Sequence, residues 1–143
     1  MPLHRFYHAP GLFSAKDKEE ISERITKVYT RGGLPAFYVI VVFVEVPTES
    51  ILVGGKPSKK FVRIVSQHLA RTMPTYERKQ EVLNLLEDAF GPYVKDRGLD
   101  WEIHIEEHER DTWRINGINP PMPHTDAEKL WSKENRPTPY EQS

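Results

Sequence analysis

Polar and apolar residues change their spacing several times along the chain, and each change marks an element. Pro2–His8 alternates loosely, with Leu3 and Tyr7 on one face and His4, Phe6 and His8 on the other, and Ala9-Pro10-Gly11 then turns the chain. A helix follows. Ser14 is placed to cap it, with Asp17 three residues on, and Ile21, Ile25, Val28 and Tyr29 fall on one stripe. Arg31-Gly32-Gly33-Leu34-Pro35 ends that helix. Ala36–Val46 is then apolar on both faces almost throughout, the pattern of a strand covered on both sides, until Pro47 stops it.

The pattern then repeats. Ser50–Val53 reads as a short hairpin arm turned by Gly54-Gly55, and Phe61–Gln67 reads as a strand. Thr75 caps a helix from Tyr76 whose apolar stripe is Val82, Leu83, Leu86, Ala89, Phe90 and Tyr93; Gly91-Pro92 interrupts its last third and Gly98 ends it. Trp101–Glu107 alternates almost strictly, with Trp101, Ile103 and Ile105 on one face. From Asp111 onward Pro120, Pro121, Pro123, Pro137 and Pro139 rule out long regular elements. They leave room for a short helix over 126–133 capped by Thr125, and for a last ten residues that form an arm on a neighbour or a frayed end.

These elements predict one α/β domain (α+β by some schemes) over residues 1–143. A β-α-β unit over 2–47 is followed by a hairpin and second β-α-β unit over 48–110 and a proline-rich extension over 111–143. Right-handed crossovers set the strands parallel within each unit. Two helices then cover one face of a four-stranded sheet. The strand apolar on both faces needs a partner on the other, which predicts an oligomer.

Composition removes several classes of function. A formal net charge of −1 with Lys and Arg evenly spread leaves no basic stripe for nucleic acid. With no cysteine, disulfides, thiolate metal sites and cysteine nucleophiles are out. No apolar run approaches the roughly 18 residues of a membrane span, and no signal-peptide core is seen, so a soluble cytoplasmic protein is expected. His4/His8 and His104/His108 share a spacing, but both pairs lie in or beside strands, where four residues span about 13 Å. Neither pair can share one ion, and neither a metal nor a cofactor is expected. Gly54-Gly55-Lys56 lacks the rest of a phosphate loop, and no nucleophile elbow occurs.

The candidate chemistry sits at the start. Once an initiator methionine is removed, as is usual before a small residue, Pro2 carries a secondary amine instead of an amide. An α-amino group titrates near pH ~8 before any environment acts on it, and burial or a nearby cation lowers that value. Pro2 is then a usable general base near neutrality.

The Met1-Pro2 start, the doubled strand-helix-strand unit, the strand end Val41-Val42-Phe43-Val44-Glu45-Val46-Pro47 and the hairpin Ile51-Leu52-Val53-Gly54-Gly55 together resemble the tautomerase superfamily. Length and C-terminal extension are most similar to its branch around cis-3-chloroacrylic acid dehalogenase. The likeness runs from about Pro2 to Pro121 and rests on order and spacing, since none of its motifs is specific alone.

The resemblance implies a homotrimer whose sheets face inward. It also implies a pocket in which Pro2 acts on a small carboxylate substrate bearing a 2-oxo or enol group. Its carboxylate-binding arginine falls on Arg71, whose planar fork suits a carboxylate. The branch's second arginine is replaced by Pro74, its substrate-holding histidine by Tyr29, its last-strand tyrosine by Ile103, and its water-activating glutamate by Arg114. Tyr29 can still donate a hydrogen bond or simply pack in the core. Arg114 cannot be a general base but can bind a carboxylate and lower the proton affinity of Pro2. Glu106, Glu107 or Asp111 could replace the missing glutamate only if the correspondence slips by several residues.

Hydrolytic dehalogenation or hydration is therefore disfavoured. Tautomerisation, an isomerase reaction, asks only for a base and a cation that stabilises an enolate, with Trp113 expected on the pocket wall. The alternatives are a catalytically lapsed trimeric binding module of the same fold, or an enzyme of another reaction using Pro2 and Arg114.

Overall fold

The computed structural model describes residues 2–142. Six strands and three α-helices follow one another: β1 (Pro2–His8), α1 (Ala15–Thr30), β2 (Ile40–Glu45), β3 (Leu52–Val53), β4 (Lys56–Pro57), β5 (Phe61–His68), α2 (Tyr76–Phe90), β6 (Asp100–Glu107) and α3 (Asp126–Glu134). The main sheet has the order β2-β1-β5-β6, and β3 with β4 forms the small hairpin. β1 runs parallel to β2 and β5 parallel to β6, as two successive right-handed units require. The units meet antiparallel along β1 and β5, in a register that pairs Pro2 with His68 and Phe6 with Ile64.

Period-two alternation decides which residues go inside. His4, Phe6 and His8 of β1 and Val62, Ile64, Ser66 and His68 of β5 are buried on the face covered by the helices. Against them pack Ile21, Ile25 and Tyr29 of α1 and Val82, Leu86, Ala89 and Phe90 of α2, the two helices lying side by side. The phenyl rings of Phe6 and Phe43 stack at 5.0 Å between centroids. Trp101, Ile103 and Ile105 turn toward the same core.

Each helix starts where its cap predicts. Ser14 and Asp17 form a reciprocal capping box at α1 (3.0 and 2.9 Å), and Thr75 accepts from the amide of Arg78 at α2. α2 stops at Phe90 because Pro92 has no N–H to offer the carbonyl of Asp88. Arg24 of α1 supplies the missing donors, reaching the carbonyl oxygens of Ala89 (2.7 Å) and Asp88 (3.2 Å). Short 3₁₀ turns carry the chain on to Gly98, whose positive φ of 71° reverses it into β6.

Two expectations need correction. The apolar run 36–46 is not one strand: Ala36–Tyr38 forms a 3₁₀ turn after Pro35, and the strand begins at Ile40. Tyr38 is the reason, since its buried ring packs edge-on against Trp113 at 5.0 Å and Trp131 at 6.3 Å. The tail is not a frayed end over the described residues. Trp131, fully buried on α3, donates from Nε1 to the carbonyl of Thr138 (2.7 Å), and the hydroxyl of Tyr140 donates to the carbonyl of Asn119 (2.8 Å). The aromatic cluster of the extension thus gathers its own C-terminal residues.

On the other face of the sheet Ile40 and Val42 remain 40% exposed, while Arg5, Gln67 and Glu106 form a hydrogen-bonded ladder across β1, β5 and β6. No helix among the described residues is long and apolar enough to cross a membrane.

Candidate active site

The antiparallel β1–β5 register brings the start of one strand against the end of the other. At that corner lies a cavity of about 330 Å³, within the size range of small-molecule sites. Pro2 and His68 form its floor, Tyr29 from the last turn of α1 one wall, and the 69–73 segment after β5, including Arg71, another. Val28, Leu34, Met73, Val82 and Leu85 make the remaining lining largely apolar, with Arg78 and His124 at its edge.

The Tyr29 hydroxyl lies 2.7 Å from Nε2 of His68, and the two rings meet edge to face with centroids 5.4 Å apart. Burial pushes the phenol of Tyr29 well above its usual range and holds His68 down to about 4, so both are neutral near pH 7. Beneath them His4 is buried with Nδ1 2.6 Å from the Ser66 hydroxyl. Its pKa is lowered to about 3, first by burial and then by neighbouring His68. Tyr29, His68 and the underlying His4 therefore form an uncharged polar layer beside Pro2.

Arg71 does stand in this cavity, but its fork is filled. Nη2 donates to Oε1 of Glu128 at 2.7 Å and Nη1 to Oε2 at 2.9 Å, while Nη1 also reaches the carbonyl of Ala70 at 3.1 Å. Glu128 is 2% exposed and is the third residue of α3; its Oε1 also accepts from the amide of His124 (3.0 Å). Its own amide donates to the cap hydroxyl of Thr125 (3.3 Å). Arg71 thereby fastens the C-terminal extension to the rim.

The sequence expectations divide accordingly. Pro2, Tyr29 and Arg71 come together in one cavity. Arg114 and Trp113 do not line the cavity within this chain. Arg114 is exposed on the turn closed by the Ile115–Ile118 bridge and donates to Asn119 at 3.1 Å, because the extension folds on itself there instead of returning to Pro2. Trp113 is buried in the aromatic cluster with Tyr38 and lies under the Arg110 guanidinium at 5.6 Å. Ile103 belongs to the core side of β6, and Pro74 is exposed beyond the rim.

Among the described residues no Asp or Glu lines the cavity, and Glu107, one of the acids considered as a water activator, accepts instead from the amide of Met73 (3.2 Å). Sequence reasoning passed over His68 and Glu128. The first is found only through the strand register, whereas the second had a signal in Thr125-Asp126-Ala127-Glu128, the spacing of a capping box.

The family described as "Putative oxalocrotonate tautomerase enzyme" matches residues 1–136. The chain belongs to this tautomerase family. RhCC from Rhodococcus jostii RHA1 is 45% identical over 96% of this chain and 99% of its own, with a TM-score of 0.94. A probable enzyme from the thermophilic fungus Aspergillus fumigatus is 38% identical over 98% of each chain, with a TM-score of 0.92. N1, a member of the cis-3-chloroacrylic acid dehalogenase family, is 14% identical over 93% of this chain and 97% of its own, with a TM-score of 0.75. At that identity N1 speaks to the fold of the tautomerase domain alone. No curated protein matches the chain.

Proposed function

We propose that the protein catalyses keto-enol tautomerisation of a small enolisable carbonyl compound, with Pro2 as the general base once Met1 has been cleaved. The observation that carries this reading is the single cavity that gathers Pro2, Tyr29, His68 and Arg71. The Pro2 nitrogen takes the proton from the carbon next to the carbonyl. The C–H pair becomes the new C=C bond, and the carbonyl π pair moves onto oxygen. Hydrogen-bond donors of Arg71 and Tyr29 stabilise the growing charge on that oxygen, which then takes the proton from the protonated Pro2 nitrogen, completing the enol and restoring the base. The reverse order gives ketonisation. The 2-oxo acids expected from the sequence are one class of such compounds.

The apolar patch at Ile40 and Val42 supports a homotrimer in which that face is covered. Water addition has less support, since among the described residues no carboxylate stands in the cavity to activate the nucleophile. A lapsed binding module is the second reading, and one observation favours it: the Arg71 fork is already spent on Glu128.

The test is an ultraviolet assay of enol–keto conversion on protein whose mass shows Met1 removed, using phenylpyruvate and its methyl ester, with Pro2→Ala beside wild type. Conversion of either compound that falls at least a hundredfold in Pro2→Ala supports the enzyme. Conversion unchanged by the substitution removes Pro2 as base, and none with either compound leaves the binding module.

A further inference from the structure

Arginine carries five N–H groups, and three hydrogen bonds of Arg71 are already made, two to Glu128 and one to the carbonyl of Ala70. The Nη1/Nη2 edge that would clamp a carboxylate end-on holds one that belongs to the protein itself. What these bonds leave unused is Nε and the second hydrogen of Nη2, two donors on a guanidinium that lines the cavity and whose charge is offset by a buried neighbour. The other cation at the cavity, Arg78, is likewise paired, to Glu81 at 2.7 Å. Tyr29 and His68 bring polarity to the wall without charge, and the rest of the lining is apolar.

Resting on the tautomerase reading, we infer that Glu128 is a specificity-determining residue: by occupying the Arg71 fork it fits the cavity to uncharged carbonyl compounds, such as esters, amides, aldehydes or ketones, and against free carboxylates. A carboxylate ligand entering beside Arg71 meets the Glu128 carboxylate within a few ångströms and gains no net cation in exchange. A neutral carbonyl oxygen avoids this repulsion in the ground state and still finds two N–H donors. Glu128 is rigidly placed to exert this effect, because its backbone is fixed by the Thr125 cap and Oε1 also receives the His124 amide. A capping glutamate exposed to water would not stay on the arginine in this way, whereas this one is 2% exposed.

Binding separates charge preference from turnover. Titration calorimetry on cinnamate and cinnamamide compares a carboxylate with an amide on the same skeleton. Wild type is expected to bind cinnamamide at least tenfold more tightly than cinnamate. In Glu128→Gln, which keeps an acceptor for Arg71 and for the His124 amide, cinnamate affinity should rise at least tenfold while cinnamamide stays within twofold. Wild type that binds cinnamate as tightly as cinnamamide, or binds neither at millimolar concentration, overturns the inference whether or not the variant folds. A folded variant with unchanged cinnamate affinity does so as well. None of these readings requires the Pro2 nitrogen to act, so they stand or fall apart from the ultraviolet assay.

Discussion

Pro2 and His68 face each other as the terminal pair of the β1–β5 ladder, and Nε2 of His68 is in turn 2.7 Å from the Tyr29 hydroxyl. One strand pairing thus places the candidate base beside a neutral donor–acceptor pair. Arg71 follows three residues after His68, on the segment that leaves the same strand, so β5 positions two of the four groups Pro2, Tyr29, His68 and Arg71. A shift of register by one residue would turn His68 to the opposite face and dismantle the corner.

Replacing Tyr29 with Phe removes a hydroxyl and leaves His68 without its partner. Loss of a buried hydrogen bond with one partner retained costs on the order of 1–3 kcal/mol of stability. If the phenol assists proton transfer at the substrate oxygen, kcat should also fall by about 10- to 100-fold with KM little changed. Urea unfolding and steady-state kinetics on the same preparation separate the two effects. A stability loss without any change in kcat would assign Tyr29 to packing alone.

His4 and His68 make stability depend on pH. Their folded-state pKa values, about 3 and about 4, lie below the ordinary 6.5 of the imidazole, chiefly through burial. Between those limits the unfolded chain binds protons that the folded chain refuses. Stability from this source is complete above pH 6.5 and declines as the pH falls, with a slope approaching about 1.4 kcal/mol per pH unit for each histidine. Glu106, held at about 2 mainly by the Gln67 amide, loses its share only at lower pH, once its own unfolded range is entered. Urea unfolding at pH 7, 6 and 5 should therefore show a steep loss, and His68→Gln should flatten it by roughly one histidine's worth. An unchanged slope would mean that His68 is charged in the folded protein.

Periodicity made much of this fold legible. The alternation of Phe61–Gln67, the stripe Ile21, Ile25, Tyr29 and the caps at Ser14, Thr75 and Thr125 each carry a local signal, and each element lies where its signal puts it. The site was harder to read because its geometry is not local. That Pro2 meets His68 depends on strand order and register between residues 66 positions apart in the chain. Glu128 and Arg71 meet only because a proline-rich segment with no period of its own folds back over the rim. Arg114 and Trp113 illustrate the reverse: family position pointed Arg114 to the pocket and apolar character Trp113 to its wall, while within this chain the buried aromatic cluster around Tyr38 holds that segment away from the cavity.

Trp131 is the anchor of that fold-back. It is fully buried and meets the rings of Phe37, Tyr38 and Tyr140, while its indole nitrogen holds the Thr138 carbonyl. Trp131→Ala should cost about 3–5 kcal/mol, as large aromatic deletions in cores do. It should also release the tail, so limited proteolysis should cut near Arg136 in the variant and spare wild type. Equal protection in both would show that the tail is held by other contacts.

The Arg71–Glu128 pair differs from a surface ion pair because its carboxylate is cut off from water. Breaking such a pair by removing one partner is costly, on the order of 3–5 kcal/mol, since the charge left behind is buried without compensation. Arg71→Met should therefore destabilise strongly, leaving Glu128 with the His124 amide as its remaining donor. Replacing both groups, as Arg71→Met with Glu128→Leu, removes the stranded charge and should recover a large part of the loss. A double-mutant cycle read by urea unfolding measures this coupling directly. Coupling well above 1 kcal/mol would identify the pair as the clasp that holds α3 on the rim; coupling near zero would mean that the helix is held there by Trp131 and its aromatic neighbours alone.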